Sequence, residues 1–400
     1  MSFKTWITVP TYWGHPTGVS GPESFIYDHP TPLDILGTIP RMLDSFLKLE
    51  GDFSLFFIAG SVHKSIEQDV HRKVLSVLEP YSKRFKDILL LSDVNIGGIN
   101  RLLPEPLLSL SSYGNIRNAQ IAVPYLLGCE NIIGIDDDEI ILDTQYVNKA
   151  LEYIGKVYNG DFVGGMAGPY FDSNGEFRIM GAESLENCTN MYEKKNYFMN
   201  EALKKVLSTP GLKISNVSFG GNMVISREVI ETTCFDPYIP RGEDYDYVIS
   251  AKTAGFNFYT RPDMPIVHLP PDSTGSQAGD SIRKLAADVK RFIYVKEKHT
   301  YHWENYPNER FDIAYVMPYP GVYLEKSIDE LLEDGRRCLV DVYPGNFDEK
   351  SAAEFVDNAY EAAKVKAREF FVYRELWRKS LTSMQSNKKM QDLLIRSLKI

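Results

Sequence analysis

Four hundred residues, 44% hydrophobic and 24% charged, are enough for one large globular domain with a smaller one, and exclude a chain dominated by disorder. A formal net charge of −10 argues against a nucleic-acid partner, which needs clustered Lys and Arg, whereas a diphosphate stays compatible because a bound cation can bring the positive charge. The four cysteines, Cys129, Cys188, Cys234 and Cys338, form no CxxC pair and indicate neither a zinc site nor a disulfide framework.

The N-terminus lacks the apolar core of a signal peptide. No run approaches the roughly 20 apolar residues of a membrane span, the nearest being Phe53 to Ala59, so a cytoplasmic protein is expected. Trp6 to Val9 reads as a first strand closed by Pro10-Thr-Tyr-Trp-Gly14. Thr38 caps a helix that opens at Ile39-Pro40 and carries Leu43, Phe46 and Leu47 on one face. Phe53 to Ala59 is a second strand, and Ser65-Ile-Glu-Gln68 fits a capping box before the stripe Val70, Val74, Val77 and Leu78. Ile88 to Leu91 is a third strand, Asn115 to Leu127 a helix, and Asn131 onward a fourth strand that delivers Asp136, Asp137 and Asp138 at its C-terminal end. Alternating strands and helices are the grammar of an α/β, doubly wound, mainly parallel sheet, whose ligands bind at the carboxyl ends of the strands.

Asp143 is expected to cap a helix through Val157, followed by shorter strands at Asp161 to Ala167, Phe177 to Met180 and Val217 to Ser226. A helix from Tyr245 to Lys252 follows, and then a mainly helical extension over 271–400 with no visible chemistry of its own. It holds a helix from Ser281 to Glu297 and another opening at the capping box Ser351 to Glu354, with Phe355, Val356, Ala359, Ala363 and Phe370 on a buried face. The basic stretch from Lys388 to Ile400 is expected to pack Leu393, Leu394 and Leu398 on the protein itself. Homo-oligomerisation through these helices stays open.

Hard carboxylate ligands clustered at a strand end suit Mn²⁺ or Mg²⁺, and such a cation holds nucleotide phosphates. Asp136 and Asp138, one residue apart, can divide ribose and metal contacts, and His268, after the apolar Pro265-Ile-Val267, can add an imidazole ligand or stand as a satisfied histidine at a strand end. Gly220 and Gly221 let backbone approach a sugar, with Asn222 offering its amide to hydroxyls; the alternative is a β-bulge with a turn asparagine. In Gly242-Glu243-Asp244 a carboxylate can take the proton of an acceptor hydroxyl, or the acidic residues can serve as a favoured first helical turn. Arg117 can reach a diphosphate or base edge, or lie on a helix surface.

Taken in order, Pro10 to Gly14, Asn115-Ile-Arg-Asn118, the acidic triplet, Ser218-Phe-Gly-Gly-Asn222, Arg241-Gly-Glu-Asp-Tyr-Asp246 and His268 resemble GT-A glycosyltransferases, most closely those of the family 2 type, over roughly residues 5 to 270. The resemblance implies a catalytic domain over 1–270 and metal-dependent transfer of a sugar from a nucleoside diphosphate donor to a small polar or sugar acceptor. It implies Asp138 as metal ligand beside Asp136 and His268, and Asp244 as base with Glu243 orienting the acceptor. Nucleotide contacts then fall to Pro10, Thr11, Tyr12, Arg117, Asp136 and Asp137. The chain departs from the pattern at Ala59-Gly60-Ser61, where an acidic base contact is usual; Asp93 stands as a substitute. Some features also resemble retaining enzymes of the mannosylglycerate synthase type, so inversion is the lean. A nucleotidylyltransferase would need a basic Gly-rich loop, which Thr11 to Pro16 lacks, and a non-catalytic sugar-nucleotide binder would not need the full acidic set. Acceptor choice is assigned to Tyr170 to Pro210, whose Tyr192 and Tyr197 look exposed and suited to stacking on sugars, together with the C-terminal helices.

Overall fold

The computed structural model describes residues 4–19, 27, 30–177, 184–270, 277–309, 312–342, 345–384 and 387–400. The first half runs β1 (Thr5–Gly14), β2 (Thr31–Pro32), α1 (Ile39–Phe46), β3 (Ser54–Ser61), α2 (Glu67–Leu78), β4 (Ile88–Ser92), α3 (Asp93–Asn100), α4 (Tyr113–Leu126), β5 (Asn131–Ile135), β6 (Glu139–Ile140) and α5 (Tyr146–Tyr153). The chain continues through β7 (Val157–Tyr158), β8 (Asp161–Ala167), β9 (Tyr170–Phe171), α6 (Met191–Leu207), β10 (Lys213–Ile214), β11 (Asn222–Ser226), α7 (Arg227–Thr232), α8 (Glu243–Thr253), β12 (Asn257–Thr260) and β13 (Ile266–His268). Four helices close it: α9 (Gln277–Asn305), α10 (Ile328–Val342), α11 (Glu349–Ser383) and α12 (Lys388–Leu398).

The central sheet has the order β10-β12-β8-β11-β5-β1-β3-β4, and its β4, β3, β1 and β5 are parallel. β3 is buried along its whole length, as a strand covered on both faces must be, which explains its unbroken apolar run. From β1 the chain steps outward through β3 to β4, then returns by α4 to place β5 on the other side of β1. That reversal opens a crevice at the carboxyl ends of β1 and β5, where a doubly wound sheet binds ligands. β11 then runs antiparallel between β5 and β8, and a second small sheet joins β6, β13 and β9.

Several local expectations are corrected. Pro10 to Gly14 is not a loop: β1 continues through it, paired with β3 from Trp6↔Ser54 to Trp13↔Ser61. Val217 to Asn222 is irregular except for its last residue, where β11 begins. Thr38 makes no side-chain cap. His63, not Ser65, accepts from the Ser65 N–H ahead of α2. Asp143, three residues ahead of α5, accepts from Gln145 N–H, and the helix ends at Tyr153. The box that opens α11 is Asp348 with Ser351, three residues before the expected one. Of the strand expected at Phe177 to Met180, residues 178–180 lie outside the described residues.

The C-terminal helices share their cores with the sheet. Val289, Phe292 and Ile293 of α9 pack with Ile239, Ile249 and Met191, while Trp377 and Leu381 of α11 join the core under the sheet, where Trp377 Nε1 donates to Ile230 O at 2.8 Å. Leu394 and Leu398 of α12 are buried as expected, whereas Leu393 is 38% exposed. The last residues cover edge strand β4: Ile400 N donates to Ile88 O, and Lys399 pairs with Asp87 at 2.6 Å. Among the described residues no helix is long and apolar enough to cross a membrane.

Candidate active site

The crevice is a polar cleft of about 300 Å³. Thr11, at the end of β1, donates to Asp137 Oδ2 at 2.6 Å and accepts from Trp13 Nε1 at 2.9 Å. Tyr12 lies 4.5 Å from Tyr27 and 5.2 Å from Tyr113, ring centre to ring centre, and Tyr12 and Tyr113 face the cleft. Pro10 is buried within β1 and does not reach it.

Asp136, Asp137 and Asp138 follow β5 directly and have three different environments. Asp136 accepts one hydrogen bond from Arg117, Nη2 to Oδ2 at 3.1 Å, and the two charges approach to 2.8 Å between Nη1 and Oδ1. Arg117 is only 4% exposed, which removes the surface reading of this residue; it also faces Glu243 at 3.5 Å and Gln120 at 3.2 Å. One guanidinium thus ties the acidic turn to the start of α8. Asp137 is pushed up to about 8 by burial and by the charge of Asp138, against the bond from Thr11. Asp138 meets His268 Nε2 at 3.1 Å.

The small sheet brings that histidine in. β13 pairs with β6 so that His268 lies opposite Glu139, and Leu269 N donates to Asp138 O at 2.8 Å. Burial works against charge on the imidazole, but the Asp138 carboxylate, with Asp136 behind it, outweighs burial and holds His268 above its ordinary value. An oxygen and an imidazole nitrogen side by side on the cleft wall suit Mn²⁺ or Mg²⁺, whose binding would release that proton. Among the described residues no group of three or more His, Cys, Asp and Glu side chains is arranged to hold a metal ion. Asp136, expected as a ligand, is engaged by Arg117, while Asp138 and His268 stand together on the cleft wall.

The glycine pair and Asn222 differ from expectation. Asn222 is fully buried: its Oδ1 accepts from Tyr146, and its Nδ2 donates to Pro169 O at 3.2 Å and Met264 O at 3.0 Å. Its amide is spent on the fold and has nothing to offer a sugar. A Cβ on Gly220 would come within 2.6 Å of Arg117 Nη2, and one on Gly221 within 2.3 Å of Glu139 Oε1 and 2.7 Å of Asp136 Cγ. These glycines make room for the charged side chains that build the site. Asp93 starts α3 and accepts from Ser61 N–H at 3.0 Å and Oγ–H at 2.7 Å, away from the cleft lining.

On the opposite wall α8 begins at Gly242, whose φ of +72° suits glycine. Asp244 accepts from Tyr245 N at 2.9 Å and Gly220 N at 3.3 Å, and burial raises its pKa against those bonds and Arg117. Glu243 is pushed up to about 7 by burial and by Asp244, with Arg117 opposing. The acidic pair forms the first turn of α8 and lines the cleft. Asp246 faces away, into a buried group in which Lys298 of α9 bridges it to Asp236.

Three cations in the same cleft were given no role by the sequence reading: Lys195 of α6, Arg241 before α8, and Arg291 of α9. Their signal was present in the spacing. Lys195 stands in the buried stripe Met191, Met199, Leu203 and Val206, and Arg291 among Val289, Phe292 and Ile293, where a charge has no structural reason to be. Of the three, Arg291 brings a side chain of the extension to the cleft wall. Tyr192 and Tyr197, expected as exposed sugar platforms, do not line the cleft: Tyr192 is 6% exposed and stacked on Phe292 at 4.8 Å, and Tyr197 is half-buried against Phe198.

No family model matches this chain, and no curated protein matches it in sequence. Its structure is similar to the mannosyltransferase PcManGT from Pyrobaculum calidifontis in complex with GDP-Man and Mn²⁺, at 12% identity over 97% of this chain and 88% of that one, with a TM-score of 0.45. It is also similar to glucosyl-3-phosphoglycerate synthase from Mycobacterium tuberculosis in complex with Mn²⁺ and UDP-glucose, at 12% identity over 72% of this chain and 78% of that one, with a TM-score of 0.37. These neighbours are GT-A-type glycosyltransferases.

Proposed function

We propose that this chain is a divalent-metal-dependent glycosyltransferase that moves a sugar from a nucleoside diphosphate donor to a hydroxyl acceptor. The observation that carries the reading is the meeting of Asp138 and His268 at 3.1 Å in a polar cleft that also holds Asp244. When bound there, Mn²⁺ or Mg²⁺ supplies Lewis-acid stabilisation of the charge that develops on the departing diphosphate. Tyr12 and Tyr113 present rings for the base, and Asp136, fixed by Arg117, is the carboxylate for a ribose hydroxyl. The acceptor oxygen attacks the anomeric carbon, the carbon–oxygen bond to the diphosphate breaks with its electron pair leaving on the phosphate, and Asp244 takes the acceptor proton. Glu243 orients the acceptor. A base acting in this way implies inversion at the anomeric carbon.

Calorimetry of UDP and GDP with and without Mn²⁺ tests the metal site, and turnover of UDP- and GDP-sugars separates an enzyme from a non-catalytic binder. Metal-dependent affinity for one nucleotide is expected, lost in Asp138→Asn and in His268→Ala. Equal affinity with and without metal for both nucleotides would sink the reading.

A further inference from the structure

The cleft has two electrically opposite ends. Asp136, Asp137 and Asp138 make one end acidic, whereas Lys195, Arg241 and Arg291 gather at the other beside Asp244. Lys195 is 9% exposed and Arg291 4% exposed. Placing an ammonium and a guanidinium together out of water is costly without anions to compensate. Among the described residues the carboxylates that face both cations are Asp288 and Asp244. Arg291 Nη2 lies 3.0 Å from Asp288 Oδ1, yet its Nε has no hydrogen-bond partner among the described residues. The sequence also makes room for this arrangement: a Cβ on Gly242 would come within 2.1 Å of Arg291 Nη1, so glycine there admits the guanidinium at the start of α8.

We infer that Lys195 and Arg291, with Arg241 at the same end, form a subsite for a phosphate or carboxylate group carried by the acceptor. The inference rests on the transferase reading and narrows its acceptor from any polar molecule to an anionic one. The acceptor is the carrier, not the donor, because the cations surround Asp244, the group assigned to the acceptor hydroxyl, while the diphosphate belongs to the Asp138 and His268 end. A guanidinium and an ammonium also suit the two anion types, by paired bonds and as a point charge. Burial lowers Lys195 to about 8, with Asp288 and Asp244 opposing and Arg291 and Arg241 adding to the effect, and an anion between the cations would counter it.

The test is calorimetry on the full chain with Mn²⁺ and UDP or GDP present, comparing glycerol phosphate with glycerol, and inorganic phosphate as a minimal probe. Glycerol phosphate is expected to bind at least about tenfold tighter than glycerol. Lys195→Met and Arg291→Met should each weaken it by on the order of 10- to 100-fold with nucleotide affinity unchanged. Because Arg291→Met leaves Asp288 unpaired, Lys195→Met is the primary variant, and Arg291→Lys should retain part of the binding. Glycerol phosphate binding no tighter than glycerol overturns the inference. So does an equal loss of nucleotide affinity in the variants, which assigns the cations to the donor phosphates. A preference for donors whose sugar carries a carboxylate, lost in Lys195→Met, overturns it as well. If anion binding is found and depends on Lys195 while nucleotide binding shows no need of metal, the subsite stands and the transferase reading falls.

Discussion

Replacing Arg117 by methionine removes a cation that touches both walls of the cleft. The guanidinium lies 2.8 Å from Asp136 and 3.5 Å from Glu243, and it opposes the burial that lifts Glu243 to about 7. At 3.5 Å and an effective dielectric of about 20, the attraction to Glu243 is about 4–5 kcal/mol before screening. Asp136 competes for the same charge, so the expected rise in the Glu243 midpoint is about 1 to 2 pH units, or about 1.4–2.7 kcal/mol. Glu243 and Asp244 share their titration, and the measured midpoint belongs to the pair. The acidic limb of kcat/KM should therefore move from about pH 7 toward about pH 8–9. Stability follows with a defined sign. A carboxyl whose folded pKa lies above its ordinary 4.5 contributes most below that value and loses its contribution as pH rises through about 7. With Arg117 gone the loss extends to higher pH, so the variant should be weaker than the parent by about 3–5 kcal/mol near pH 8 and by clearly less near pH 6. Urea unfolding at the two pH values and a pH–rate profile read both effects. An unmoved acidic limb together with a pH-independent stability difference would refute the bridging role.

Asp244→Asn should lower kcat by about 10²–10⁴-fold while sparing nucleotide affinity, and NMR of the product should show inverted configuration in the parent; a retained configuration removes Asp244 as the base. Gly221→Ala should abolish metal-dependent nucleotide binding and cost about 1–3 kcal/mol, because the new Cβ meets Glu139 at 2.3 Å and Tyr170 at 2.4 Å; normal affinity would show that the acidic turn tolerates displacement. Lys298→Met should destabilise the fold by about 3–5 kcal/mol near pH 8 by stranding Asp236 and Asp246. Asp246 is held up at about 6, so its contribution is lost as pH rises through that value and the defect should shrink near pH 5; urea unfolding that shows an equal defect at both pH values contradicts the network.

The readings that held are those set by short-range pattern. The unbroken apolar run of β3, the three carboxylates at the end of β5 and the glycine before Glu243 each follow from what a buried strand, a strand terminus or a tight helix start requires of its own residues. Element types in the first half were legible for that reason, and their ends were not, since Pro10 to Gly14 stays in β1 only because β3 is there to pair with it.

By itself the sequence determined an alternating α/β chain with an acidic strand end, a late histidine and a Gly-Glu-Asp helix start in fixed order. Only the tertiary structure decided which of these side chains meet. It gave Asp136 to Arg117, left Asp138 to His268 and closed Asn222 within backbone carbonyls. It also carried Lys195 and Arg291 from two distant helices to Asp244, which no spacing along the chain reports. A residue's type fixes what charge or bond it can offer, but its partner is set by which elements the long-range packing lays side by side, and in this cleft the charges come from segments up to 174 positions apart, Arg117 to Arg291.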